Sequence, residues 1–236
     1  MNELIQGDCL EVLNGRKSFD TIFADPPDNI GLAYKSYEDR LSEEAYVAFL
    51  KKAITKFVFN AKTVWVSYNA RWTFQVGSIV VGLQKHLGRH FEAKPCVQIF
   101  SFGQHNHHDL GNNHRPLLRL RWGDAPLFPD RIRVKSWRQE HGDKRADPRG
   151  RVPGDVLDVP RVTGNSKQRR SWHPTQLGEA LVERCLLLTT PEGGTVCDPF
   201  GGTGTTLRVC KRLNLPCTLI ELDPFYCTKI REEHAL

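Results

Sequence analysis

The 236-residue chain lacks several features, and each absence removes a class of explanation. No apolar run approaches the ~18 residues that a membrane-spanning helix needs, so no span is expected. The opening MNELIQGDCLEVL carries acids where a secretory leader has a basic and then an apolar segment, so no leader is expected there. No C-x-x-C pair occurs among Cys9, Cys96, Cys185, Cys197, Cys210, Cys217 and Cys227. Their odd count and apolar surroundings read as reduced, buried thiols of a cytosolic protein, with no metal site expected. The G-x-x-x-x-G-K-[ST] phosphate loop is missing, and so is the full G-x-G-x-x-G spacing. A nucleoside triphosphatase and a dinucleotide enzyme both lose their main signatures.

Charge is present but uneven. The chain is +6 overall, yet residues 103–172 hold 15 Lys and Arg against 8 Asp and Glu. That segment is locally about +7, and the remainder is close to neutral. Basic charge gathered on one stretch suits a polyanion such as nucleic acid.

Outside that stretch the pattern alternates strand and helix. DTIFAD (20–25), TVWVSY (63–68), CVQIFSF (96–102), GTVCD (194–198) and CTLIELD (217–223) read as strands. Residues 42–59, 73–87 and 175–189 read as helices, the first capped by Ser42 with Glu43 and Glu44 at its positive end. Such alternation means parallel strands with helices on both faces. The expected organisation is a catalytic half (1–102), an irregular basic insertion (103–171), and a cofactor half of the same α/β domain (172–236).

Two turns carry chemistry. CDPFGGTGTTLRVC is a strand, a glycine turn and a helix, and Glu221 closes the next strand 23 residues after Asp198. This layout holds a nucleoside in Rossmann-like folds: the loop lies at one strand end and the next acid takes the ribose hydroxyls. Asp198 would repel a pyrophosphate, so a cationic nucleoside such as S-adenosylmethionine fits better. The other turn, FADPPDN, places Asp25 at a strand end. The Asp25 carboxylate and the Pro26 carbonyl can accept both hydrogens of an exocyclic amine and aim its lone pair, while Pro27 restrains the Pro26 backbone.

These motifs, in this order, resemble the permuted β class of S-adenosylmethionine-dependent DNA amino-methyltransferases. LIQGDCLEVL with FADPPDN is similar to that family's opening. SWHPTQ leading into DPFGGTGTT is similar to its cofactor segment, and IELDP to the strand that follows. The resemblance implies a Rossmann-like methyltransferase fold and duplex DNA as substrate. It also implies a prokaryotic or phage-encoded cytoplasmic enzyme, and a homodimer. Asp25, Pro26, Pro27 and Asp28 would form the acceptor site. Asp8 and Cys9 would meet the cofactor's adenine, with Asp25 beside them. Asp198, Phe200, Gly202, Thr203, Gly204 and Thr205 would surround its methionine portion. Glu221 would take the ribose, and His173, Thr175 and Gln176 would close the pocket. D-P-P favours adenine N6 over cytosine N4 in this family.

Asp28 departs from the family pattern, which has a stacking aromatic there. Tyr34, Tyr37, Tyr68, Trp72 or Trp172 could substitute, or Asp28 could bond to the base edge or pin its own loop. A catalytically impaired DNA-binding homologue and an RNA or protein amide methyltransferase stay open as alternatives.

In the basic stretch, RPLLRLRW would put Arg115, Arg119 and Arg121 on one face if it were a strand. Arg133, Lys135, Lys167, Arg169 and Arg170 extend the candidate DNA contacts, most of them to phosphate. Affinity for duplex DNA is therefore expected to fall steeply with salt. A slope near zero in a plot of log affinity against log salt would contradict this assignment.

Overall fold

The computed structural model describes residues 2–15, 18–100 and 106–235. In chain order the elements are β1 (Glu3–Gln6), α1 (Cys9–Val12), β2 (Phe19–Ala24), α2 (Glu43–Asn60), β3 (Ala61–Ser67), α3 (Thr73–Leu87) and β4 (Phe91–Ile99). They continue with β5 (His114–Trp122), α4 (Trp137–Glu140), β6 (Val156–Asp158), α5 (Glu179–Thr189), β7 (Val196–Asp198), α6 (Thr205–Leu213), β8 (Cys217–Glu221) and α7 (Pro224–His234). The expected boundary at 102/103 lies outside the described residues. No described helix is long and apolar enough to cross a membrane.

One eight-stranded sheet runs β1-β8-β7-β2-β3-β5-β4-β6. All its pairs are parallel except those that β5 makes with β3 and β4. Strand alternation sends successive side chains to opposite faces. Ile22, Val64 and Leu118 join α2 and α3 in one core, whereas Phe23, Trp65 and Leu117 join α5 and α6 in the other. Both faces are thus covered, which is why the central strands read as unbroken apolar runs. Six of the seven cysteines are buried, and no disulfide joins any of them.

The stretch read as irregular contributes β5 to the middle of the sheet. Its Pro116 argues against a central strand. The proline is tolerated because it lies near the strand's start, beyond the Ser67–Leu117 pair that ends the β3–β5 register. The helix expected from 175 begins only at Glu179, with Gly178 as its N-cap. Residues 173–174 instead form a bend, and 175–178 carry no regular structure. Gln176 ties them down, accepting from the Arg170 amide (2.8 Å) and donating to the Gln168 carbonyl (2.7 Å).

The loop after β2 is closed from within. Buried Asp39 accepts from the amides of Asn29 (2.8 Å), Ile30 (3.1 Å) and Leu32 (2.9 Å). Asn29 takes a positive φ of 55° and brackets Leu41, donating to its carbonyl and accepting from its amide. Replacing Asp39 by Ala leaves three donors without their acceptor. A loss of about 2–4 kcal/mol is expected in urea unfolding, with a smaller loss for Asp39→Asn.

Candidate active site

The carboxyl ends of β1, β2, β7 and β8 meet along one edge of the sheet, so Asp8, Asp25, Asp198 and Glu221 project from the same side. They line a single cavity of about 760 Å³, within the usual range for a small-molecule site. Pro26, Pro27, Asp28, Cys9, His173, Thr175, Gln176, Phe200, Gly202, Thr203 and Thr205 line it too. Of the expected cofactor residues, Gly204 alone is turned away. It makes the bend with φ +73°, and a side chain there would meet His234.

The glycine turn is shaped for close approach. A Cβ on Gly201 would sit 3.2 Å from the Glu221 side chain. The Glu221 oxygens accept from the amides of Gly202 (2.7 Å) and Asp223 (2.9 Å), which fixes the carboxylate at the cavity wall. Asp223 caps α7 with one oxygen, while the other is buried without a partner among the described residues. An orphaned acceptor beside a glycine cradle fits a ligand rich in hydroxyl and amino donors. Asp223 and Tyr226, both in the cavity wall, were not picked out from sequence. Their only signal was position, two and five residues beyond Glu221.

Burial raises the acids of this site. Asp198 is pushed up to about 7, against the opposing Thr206 hydroxyl and Phe200 amide. Glu221 is raised for the same reason, with the Asp223 and Gly202 amides opposing. His173 is pushed down to about 4 by burial, so it is neutral at pH 7; it packs 4.5 Å from Tyr226 and 5.6 Å edge-on to Tyr34. The site thus sets crowded strand-end acids beside neutral aromatic walls, a setting that favours a ligand carrying positive charge.

Beyond β2, the DPPD backbone is pinned from behind. The Tyr46 hydroxyl donates to the Pro27 carbonyl, and the Trp72 indole donates to the Asp28 carbonyl at 2.8 Å. Among the described residues nothing donates to the Pro26 carbonyl. The Asp28 side chain does not face an empty slot. Arg115, at the start of β5, grips it with two nitrogens at 2.9 and 3.0 Å and reaches Asp25 at 2.7 Å.

Arg115 was expected at phosphate and is instead enclosed in the active-site wall. Because β5 runs antiparallel, its first residues lie at the same edge as the ends of β2 and β3. Arg121 bonds to Glu92 and the Ala125 carbonyl, and Arg133 to Asp130 and the Gly150 carbonyl. Arg170 pairs with Glu233, and Arg169 donates to the Pro174 carbonyl while lining the cavity. Arg119 has a buried Nε without a partner among the described residues. Lys135 and Lys167 are exposed. The five aromatic candidates separate as well. Trp72 and Tyr68 are buried in the core, and Trp172 leans on Tyr226 outside the cavity lining. Only Tyr34 and Tyr37 of the five line the cavity.

The family model for N6/N4 DNA methylases matches residues 19–232. The chain is 29% identical over 220 residues to the type II methyltransferase M.HpaI of Haemophilus parainfluenzae, covering 91% of this chain and 68% of that protein. It is 30% identical over 237 residues to M.BglII of Bacillus subtilis, covering 91% and 63%. The DNA adenine methyltransferase YhdJ of Escherichia coli (strain K12) is 27% identical over 226 residues, covering 86% and 72%. The chain therefore spans about two thirds of the length of these relatives. Among solved structures, the M1.HpyAVI–SAM complex aligns over 100% of both chains with a TM-score of 0.65 at 17% identity. The cytosine-N4-specific PvuII DNA methyltransferase aligns over 99% of this chain and 86% of its own at 0.71 and 15%. At these identities the likeness is one of fold.

A cationic ligand beside Asp198 favours its ionised form and so lowers its pKa on binding. Affinity for S-adenosylmethionine is therefore expected to rise with pH through about 7, by up to about tenfold between roughly pH 6 and 7.5. Calorimetric titration across that window measures the slope. Asp198→Asn should remove most of it, leaving the smaller contributions of Glu221 and Asp25.

Proposed function

The chain belongs to the N6/N4 DNA methylase family, and on that premise we propose that it is a site-specific methyltransferase acting on an exocyclic base amine of duplex DNA, adenine N6 favoured. The cofactor is S-adenosylmethionine. One observation carries the reading: Asp25 and the Pro26 carbonyl share a cavity with Asp198, Glu221 and the glycine turn.

When bound, the cofactor supplies an electrophilic methyl group on a sulfonium. The protein's part is to make a poor nucleophile competent. Asp25 and the Pro26 carbonyl accept the two amino hydrogens, drawing the nitrogen toward a pyramidal form with its lone pair directed at the methyl. Pro26 and Pro27 fix the backbone, and Tyr46 and Trp72 hold the two carbonyls that follow, those of Pro27 and Asp28, so the acceptors do not reorganise during transfer. Sequence reasoning gave Asp25 the role of acceptor only. Burial raises its carboxyl, with the Arg115 charge opposing, so it is also suited to receive the proton that the methylated amine sheds.

A flipped base loses its stacking in the duplex and needs a surface in the pocket. Tyr34 and Tyr37 supply it in this reading, in place of the ring that Asp28 displaces. The basic stretch 103–171 is the proposed target reader, with Lys135 and Lys167 the exposed cations of the original set. Arg115 is removed from that set. Adenine is supported by the D-P-P acceptor motif; the homodimer rests on family resemblance.

Tritiated methyl transfer to unmethylated DNA should be readily detected with the wild-type protein. Asp25→Ala should lose about 1000-fold in rate or more, with cofactor affinity little changed. An active Asp25→Ala enzyme would sink the mechanism. Nucleoside analysis of the product identifies N6-methyladenine or N4-methylcytosine. Cofactor binding without any incorporation would mark the impaired homologue.

A further inference from the structure

Arg115 stands at the centre of a cluster that the family motif does not explain. Its Nε donates to the Ser67 hydroxyl at 2.6 Å, one terminal nitrogen donates to Asp28 at 2.9 Å, and the other is shared between Asp28 at 3.0 Å and Asp25 at 2.7 Å. The three charged side chains are 12–26% exposed, and Asp25 is the most open of them toward the cavity. Two carboxylates and one guanidinium leave a net charge of −1. Without Asp28, the guanidinium would be free to close on Asp25 alone, neutralise it and occupy the oxygens that an amine needs. Without Arg115, two carboxylates three residues apart would face each other, and one would tend to hold a proton. Each partner corrects the fault that the other would create.

We propose that Arg115 is a positioning residue for methyl transfer and that Asp28 is its counter-charge, the pair acting as one unit that aims Asp25 and keeps it an acceptor. Asp28 is then neither a base reader nor a vestige of a lost ring. It draws Arg115 into a two-pronged grip, so that the guanidinium touches Asp25 through one oxygen only. Planar bidentate geometry is what a guanidinium provides and an ammonium does not. The other groups facing Asp25 are the Ser67 hydroxyl from β3, Asp198 from β7 and Tyr34 from the following loop.

The inference rests on the methyltransferase reading, and a charge-reversal signature tests it. Transfer rates to unmethylated DNA are measured from about pH 5.5 to 9 for wild type, Arg115→Gln, Arg115→Lys, Asp28→Asn and the double variant Asp28→Asn/Arg115→Gln. Cofactor affinity and urea stability are measured alongside. Arg115→Gln should move the acidic limb of the rate profile up by about 1–3 pH units and cut the rate at pH 7 by about 100-fold. Asp28→Asn should move the limb the opposite way, because Arg115 then closes on Asp25. The double variant should recover about tenfold or more over Arg115→Gln. Arg115→Lys should keep the limb near its wild-type position while losing about tenfold in rate, since charge survives and the fork does not.

An unshifted limb in Arg115→Gln, or a double variant equal to the product of the singles, overturns the proposal. If Arg115→Gln does not fold, an acidic limb that stays in place in Arg115→Lys and moves down in Asp28→Asn supports the proposal, and a limb unmoved in Asp28→Asn overturns it. If the wild type transfers no methyl group to DNA, the methyltransferase reading fails. The clamp is then judged by the stability cycle, where additive losses for Asp28 and Arg115 overturn it.

Discussion

A single guanidinium joins the two halves of the acceptor site. Arg115 extends from the first turn of an antiparallel strand to Ser67 on β3 and to both acids that flank the two prolines. Burying charge this way costs solvation, which is recovered only when partners satisfy the remaining donors. Here the two carboxylates and the hydroxyl together engage the Nε and both terminal nitrogens. The loop after β2 therefore sits against a fixed charge, and the sheet acts on its geometry through β5 in addition to the bonds that the loop makes within itself.

The sheet explains why so many acids meet in one place. Parallel strands β1, β2, β7 and β8 end on one edge, and each end contributes a carboxylate to the same cavity. Crowded and buried, Asp25, Asp198 and Glu221 are all raised above their ordinary range. A ligand carrying positive charge relieves that crowding, whereas a pyrophosphate would worsen it. Electrostatics and shape thus select the same kind of cofactor. The closed loop held by Asp39 and Asn29 carries Tyr34 and Tyr37, which line the cavity and, in the proposed reading, give a flipped base its aromatic face.

Much of this is legible in the sequence alone. The buried strand at Ile22 and Phe23, the Ser42-capped helix and the glycine turn with Glu221 beyond it are local patterns, set by propensity, capping and spacing. Because they are local, the acids Asp25, Asp198 and Glu221 could be named. What failed depended on pairing at a distance. Residues 115–121 looked like a projecting basic strand because an Arg–Leu alternation is also what a half-buried strand carries. The helix at 175 was begun too early because Gln176, in a helical pattern, is drawn instead to Arg170 and Gln168.

Asp28 shows where the division lies. By itself the sequence determined that a second acid follows the prolines where an aromatic is usual, and that the surrounding motifs resemble those of a cofactor-dependent amino-methyltransferase. Those facts are contiguous in the chain, so composition and spacing carry them. Only the tertiary structure decided what the acid does. Its partner stands 87 residues away at the start of a strand running against its neighbours, and no local pattern encodes which strand end will arrive beside a given loop. Strand order and direction are collective properties of the packed sheet, so the meaning of Asp28 had to wait for the fold.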